Sequence, residues 1–253
     1  MSVDAGIQAC AELVQRGDPD RFLSAMTGSV AAREVLFPLY AFNLELARAP
    51  YVTQDPIIAR MRLQFWTDAL DEIAAGKPPR AHEVAEPLAH VVRETGADLV
   101  RLHAMVEARV ADIGEPGPVQ VDDVVAYAKG TAGNLMAVAG GALGATDTQA
   151  VERIGTAQGI ANWLLAQPAL RAAGRGFVTP APEVYAELAR RGLQMLSPVK
   201  AGPAAPALRA AWRTKGVLKR AGSDPEGVMA GTIGGSEFAR RGSLLWKSIS
   251  GGW

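Results

Sequence analysis

Few acids in this chain stand close enough in sequence to act together. Asp68 and Glu72 are four residues apart, with Asp71 between them. On a helix, carboxylates at i and i+4 share one face, where a pair grips a hard divalent cation or divides acid and base roles. Basic residues flank these acids, and the expected reading is a solvated face. Asp122 and Asp123 stand before Val124 and read as helix caps. The three histidines, His82, His90 and His103, include no pair at i,i+3 or i,i+4 and have no cysteine nearby, so no zinc site is expected. Ser24 and Ser29 suit capping or packing, and no Ser/His/acid set emerges. Cys10 is the one cysteine. Nothing near it in sequence would lower a thiol pKa.

A glycine-rich stretch, "GTAGNLMAVAGGALG" (Gly130–Gly144), has the composition of a phosphate loop. A dinucleotide fingerprint follows a strand and opens a helix. Here Tyr127 and Ala128 already lie in a helical run, so the expected role is close packing of a buried helix against a neighbour. "AGTIGG" (Ala230–Gly235) also lacks a preceding strand and reads as a flexible connector.

The elements that must position these residues are helical. The chain has 253 residues, 49% of them apolar, enough for a large core. Its 26 basic and 26 acidic side chains balance. No nucleic-acid partner is expected, because phosphate binding needs a cationic excess. A lone cysteine fits a reducing compartment. The N-terminus has no apolar core of a secretory signal, and "LMAVAGGALGA" is shorter than the roughly 20 residues of a membrane span. The expected location is the cytoplasm, with peripheral contact at the inner face of the cytoplasmic membrane.

Period and caps predict helices near Asp4–Arg16, Asp20–Met26, Ser29–Arg48, Asp55–Ala75, His82–Thr95, Asp98–Ile113, Val121–Leu143, Asp147–Leu170, Pro182–Leu196, Pro203–Arg220 and Ser236–Ile249. In the fourth, Ile58, Met61, Phe65, Leu70 and Ile73 mark the apolar face. Gly/Pro clusters separate the helices and none is long enough to be a linker. A single all-α domain over 1–253, of about ten helices around a central cavity, is predicted.

Several pieces then occur in a known order: "DRFLSAMTGSVAAREVLFPLYAF", "RLQFWTDALDEIAAGKP", "VDDVVAYAKGTAGNLMAVAGGALG" and "RIGTAQGIANWLLAQPALRAAGRGFVTP". From residue 20 to 180 the chain resembles the squalene and phytoene synthases, head-to-head prenyl transferases of the isoprenoid synthase fold. The resemblance implies two aspartate-bearing helices facing a cavity, with Mg²⁺ bridging their carboxylates to a diphosphate. At the first set of positions this chain has Ala47, Arg48 and Tyr51. At the second it has Gly159, Asn162, Leu165, Ala166 and Leu170, of which Asn162 alone matches. Methyl and isobutyl groups do not bind a hard cation, and a guanidinium repels one.

The resemblance is closer to a divergent branch of the family that includes an assembly factor of mitochondrial respiratory complex I. It implies a catalytically inactive protein with no metal or other cofactor, which assists complex I subunits or assembly intermediates. Two alternatives stand beside it: an active farnesyl or geranylgeranyl diphosphate transferase that uses Mg²⁺ through acids elsewhere, and a carrier of a prenyl or quinone-like lipid. The remnant cavity is expected to be lined by Tyr40, Asn43, Ala47, Arg48, Tyr51, Tyr127, Asn162, Ala166 and Leu170. Arg48 either grips a diphosphate without metal or faces solvent, the latter favoured. Asn162, on a helix expected to be buried, either holds a ligand or bonds neighbouring backbone.

The tail, "SEFARRGSLLWKSISGGW" (236–253), sets Phe238, Leu245, Trp246, Ile249 and Trp253 beside basic residues. It is a candidate for membrane or partner contact. Lys200, Arg209, Arg213, Lys215, Lys219 and Arg220 make the preceding region basic, with anionic lipid as the expected counterpart.

Overall fold

The computed structural model describes residues 3–53, 55–114, 116–235 and 244, and among them there are helices and turns and no strand. In chain order the helices are α1 (Val3–Gly17), α2 (Pro19–Met26), α3 (Val30–Arg48), α4 (Pro56–Ala74), α5 (Ala85–Thr95), α6 (Leu99–Ala108), α7 (Val121–Ala128), α8 (Asn134–Ala142), α9 (Thr148–Leu165), α10 (Gln167–Ala172), α11 (Pro182–Gln194), α12 (Ala205–Leu208), α13 (Thr214–Ser223) and α14 (Pro225–Ala230). Phe238, Leu245, Trp246, Ile249 and Trp253 lie outside the described residues.

Side chains that accept backbone N–H groups start the helices. Asp18, Ser29, Asp55, Asp98, Asp147 and Asp224 cap α2, α3, α4, α6, α9 and α14 in this way, each contributing about 1 kcal/mol. On α7 the Asp123 side chain reaches back to accept the Gln120 N–H at 2.8 Å. One apolar cluster joins α1, α3, α4, α5, α6 and α8 around Leu36, Tyr40, Phe42, Leu70 and Leu88. A second surrounds α9, α11 and α13 through Ile160, Leu164, Tyr185, Leu188 and Leu218. Complete burial of such a side chain contributes about 1.5–3 kcal/mol.

α9 joins the two halves, and it approaches its neighbours backbone to backbone. A Cβ at Gly155 would stand 2.6 Å from the Ala132 carbonyl oxygen and 2.7 Å from the Met136 Cβ. One at Gly133 would stand 2.6 Å from the Thr156 Oγ1. The glycine-rich stretch is thus a packing surface.

Several predicted elements differ in form. The helix expected over Val121–Leu143 is interrupted by a π turn, Lys129–Gly133. There the Thr131 hydroxyl donates to the Tyr127 carbonyl (2.8 Å) and the Asn134 amide donates to the Gly130 carbonyl (3.1 Å), satisfying groups displaced from the ordinary ladder. α9 ends at Leu165, ahead of Pro168, which has no N–H to continue it. The helix expected over Pro203–Arg220 breaks into 3₁₀ turns, α12 and α13. The Asp224 cap with Pro225 opens α14 inside a stretch read as a break. "AGTIGG" is tied down, because Arg220 donates to the Ile233 carbonyl and Arg213 to the Gly234 carbonyl.

α4 buries Leu70 and Ile73 as expected, but its first two turns are rotated from the expected face. Its buried residues are Ala59, Leu63, Trp66, Ala69, Leu70 and Ile73, whereas Ile58 and Met61 point outward. Ridges at i, i+4, i+7 and i+11 (59, 63, 66, 70) pack better than the more scattered set predicted. The basic region also differs from expectation. Arg209 is buried against Thr27 (3.0 Å to Oγ1), Arg213 pairs with Asp20 (2.7 Å), and Arg220 serves the Ile233 carbonyl. Three of the six cations are therefore tied to the framework, and one of them, Arg209, is buried in it.

Two outcomes follow. Gly155→Ala should cost about 1–3 kcal/mol, because the added methyl enters a filled contact. Gly141→Ala on α8, where the nearest atom is the Thr148 methyl at 3.4 Å, should be neutral or stabilising by up to about 1 kcal/mol; denaturant unfolding compares them. Burial pushes the Cys10 thiol from 9.0 up to about 12. Above pH 9 the unfolded thiol ionises first, so stability present below 9 should fall as pH rises toward 12, by up to about 1.4 kcal/mol per pH unit. Cys10→Ala should remove that component of an alkaline unfolding series.

Candidate functional site

Of the two sets of positions singled out in the sequence, Tyr51, just past α3, and Leu170, on α10, meet at one cavity. It has a volume of about 280 Å³ and walls that include Tyr51, Tyr127, Trp163, Leu170, Val124 and Arg175. Its rim is built where two loops cross. A Cβ at Gly117 would overlap the Gly176 carbonyl oxygen, and the Val178 N–H donates to the Pro118 carbonyl at 3.0 Å. No side chain larger than hydrogen fits at 117 with that crossing intact.

The Arg175 guanidinium lies over the Tyr51 ring, 4.3 Å from its centroid. At that distance a cation is attracted to the negative ring face. One of its terminal nitrogens, Nη1, is buried with no hydrogen-bond partner among the described residues. Trp163 meets Phe177 edge to face at 4.9 Å, and Phe177 meets Tyr185 at 5.6 Å. The Tyr185 hydroxyl donates to the Gln167 side chain at 3.1 Å, which fixes the α9–α10 corner.

Asp112 and Asp123 also border the cavity, but each is already engaged. Asp112 accepts from the Tyr127 hydroxyl (2.8 Å) and sits 3.4 Å from Arg109, which itself donates to the Tyr127 oxygen at 2.6 Å. Burial and the Asp112 charge hold the Tyr127 hydroxyl well above its ordinary pKa, although Arg109 opposes them. Asp123 accepts from the N–H groups of Val119 (3.0 Å) and Gln120 (2.8 Å), the capping role expected of it.

The nine candidate residues do not share one cavity, contrary to expectation. Tyr51, Tyr127 and Leu170 line the cavity just described. Asn162 and Ala166 border a second, more polar pocket of about 400 Å³ between α2, α9 and α13, facing Arg21, Asp18 and Arg213. Asn162 is exposed rather than buried, because α9 buries the opposite side through Ala157, Gln158, Ile160, Ala161 and Leu164. Tyr40 and Asn43 belong to the core of α3, with Arg21 5.8 Å from the Tyr40 ring centroid. Ala47 is half-buried, and Arg48 is exposed at a separate groove.

The other acids resolve simply. Asp68 and Glu72 hold Arg80 at 3.2 and 2.9 Å, and Asp71 faces His103 at 3.3 Å. Among the described residues no three His, Cys, Asp or Glu side chains are grouped to hold a metal ion. At the cavity, Tyr51 and Leu170 offer no carboxylate, and a fixed cation stacks on the former. This donor set does not fit Mg²⁺. The candidate residues read from the sequence did not include Arg175, which lines the cavity. Its signal was the only arginine between two glycines after α10.

The helical architecture around this cavity is that of the isoprenoid synthase class. It superimposes on a dehydrosqualene synthase in complex with ligand with a TM-score of 0.77, at 14% identity, covering 98% of this chain and 96% of that one. The squalene synthase of Alicyclobacillus acidocaldarius gives 0.65, also at 14% identity, covering 98% and 95%. The family model for squalene/phytoene synthase matches residues 14–214, and the chain belongs to that family. The match extends past residue 180 on the C-terminal side. Among curated proteins, the chain is 30% identical over 162 residues to NADH dehydrogenase (ubiquinone) complex I, assembly factor 6, of Bos taurus, and 29% identical to that of Homo sapiens, covering 63% of this chain and 48% of each relative. A Drosophila melanogaster homolog is 29% identical over 175 residues, 64% of this chain and 51% of its own length. The chain spans about half the length of these relatives.

Tyr127→Phe should lower stability by about 1–3 kcal/mol, since it leaves Asp112 and Arg109 each short of a partly buried hydrogen bond. The effect should appear in the denaturant midpoint with no change in far-ultraviolet circular dichroism.

Proposed function

We propose that this chain is a catalytically inactive squalene/phytoene synthase-like protein that acts as an assembly or binding factor for respiratory complex I, with no metal or other cofactor. The observation that supports the reading most directly is the Tyr51–Arg175 stack, set against Leu170, at the cavity where a prenyl transferase needs acids. Diphosphate departure depends on metal charge neutralising the leaving group. Tyr51, Leu170 and Arg175 give a divalent ion nothing to bind, and the two acids at the rim, Asp112 and Asp123, are already engaged by Tyr127, Arg109 and the N–H groups of Val119 and Gln120. The name of the curated relatives supplies the positive half of the reading, assistance to complex I.

A second reading, carriage of a prenyl or quinone-like lipid, is favoured by the aromatic wall of Tyr51, Tyr127 and Trp163. Native mass spectrometry of the purified protein distinguishes it, through a retained lipid that Trp163→Asp or Leu170→Asp releases.

Incubation with farnesyl or geranylgeranyl diphosphate and Mg²⁺ should give no coupled product. Deletion of the gene in the host should reduce assembled complex I on native gels and NADH:quinone activity in membranes, with rescue by the wild-type chain. Normal complex I after deletion, or turnover of either diphosphate, would refute the proposal.

A further inference from the structure

The outward rotation of α4 leaves an unusual surface. Five large apolar side chains between residues 51 and 61 are exposed: Tyr51 at 50%, Val52 at 56%, Ile57 at 69%, Ile58 at 45% and Met61 at 66%. They form the elbow between α3 and α4. Ile57, Ile58 and Met61 follow i, i+1, i+4 spacing, one face of the first two turns. They cannot fold back, because Ala59, Leu63 and Trp66 anchor the other side of the helix in the core.

Cations surround this apolar face. Arg48, Arg60 and Arg62 are exposed, and none of them forms an ion pair among the described residues. The acids on α4 lie toward its far end, where Asp68 and Glu72 are held by Arg80. Asp55 accepts from the Ile57 N–H at 2.8 Å as the helix cap. Glu45 is the one acid on the wall of the adjoining groove, and it is half-buried. That groove has a volume of about 650 Å³, an apolar floor of Ala49, Phe65 and Trp66, and Arg48 and Arg62 among its lining residues.

An apolar slot bordered by guanidiniums, beside a protruding apolar helix end, has the two-part chemistry of a phospholipid: acyl chain and phosphate. We propose that the α3–α4 elbow docks on an anionic phospholipid bilayer. Ile57, Ile58 and Met61 enter the acyl boundary and Arg48, Arg60 and Arg62 meet headgroup phosphates. The surface belongs to neither the tail nor the 200–220 region. The proposal stands whether or not the chain serves complex I.

The test is co-sedimentation of the full chain with phosphatidylcholine vesicles, with and without about a quarter phosphatidylglycerol. Binding should be stronger to the anionic vesicles by about a hundredfold, from roughly 1 kcal/mol for each of the three cations, and weaken with salt. Ile57→Ser/Met61→Ser should weaken it by about a hundredfold. Arg60→Gln/Arg62→Gln should weaken it by about thirtyfold on anionic vesicles, from roughly 1 kcal/mol per lost cation, and leave binding to neutral vesicles unchanged. All four side chains are exposed, so unfolding midpoints should match wild type. Equal binding to both vesicle types, wild-type binding by the serine variant, or a dimer in solution that the serine variant abolishes would each overturn the proposal.

Discussion

The approach of α9 to the π turn and α8 is the constraint on which the rest of the structure depends. Gly133 and Gly155 let two backbones come closer than any side chain permits, and Gly159 does the same against Ala128, where a Cβ would stand 2.9 Å from its methyl. That contact fixes the depth and rotation of α9. Trp163 and the corner at Gln167 inherit their positions from it, and Leu170 and Arg175 follow beyond the corner. The cavity therefore has its shape because of glycines that line none of it.

The π turn belongs to the same contact. A regular helix through Lys129–Gly133 would carry the following residues around by a different angle, and Gly133 would not meet Thr156. The Thr131 and Asn134 side chains satisfy the Tyr127 and Gly130 carbonyls, which lowers the polar cost of the irregular turn. Glu152 steadies the adjoining face by binding Arg101 at 2.5 Å and Lys129 at 3.4 Å, while Arg101 also donates to Asn134 at 2.8 Å. Because Arg101 is on α6, this network extends the contact to a third helix.

Much of this was legible in the sequence, and what was not has physical causes. Helix positions came through because caps such as Asp55, Asp98 and Asp147 act locally, within three residues of what they bind. The packing role of Gly130–Gly144 was legible because no strand preceded it. The interruption at Lys129–Gly133 was not, since a π turn depends on what α9 presses against it. The face of α4 was misread because Ile58 and Met61 are as apolar as Leu63. Hydrophobicity records what a residue tolerates, whereas burial depends on which neighbours arrive. At the candidate site, the absence of acids at Ala47, Tyr51, Ala166 and Leu170 was visible at once. The placement of Tyr51 and Leu170 at one cavity, Ala166 at another and Arg48 at a groove was not, because it follows in part from the end of α9 at Leu165 and the turn into α10. Arg175 was missed as a site residue because a guanidinium reaches far from its backbone, and spacing alone does not say which way it reaches.

These observations bear on how a scaffold keeps its shape while its chemistry changes. The residues that set geometry here are Gly133, Gly155, Leu36, Phe42 and Leu164, and each touches only other parts of the framework. The residues that would set chemistry project from helix ends into space that packing does not need. Replacing an acid there with alanine, tyrosine or leucine removes like-charge repulsion and the need for a counter-ion, so the fold has no thermodynamic reason to resist. Arg175 fits the same logic. With carboxylates opposite it, a guanidinium would form ion pairs; with Tyr51 opposite, it stacks on the ring, and one nitrogen has no partner among the described residues. Chemistry at helix ends is thus separable from packing at helix centres, and a family resemblance carried by helix centres establishes shape before it establishes reaction.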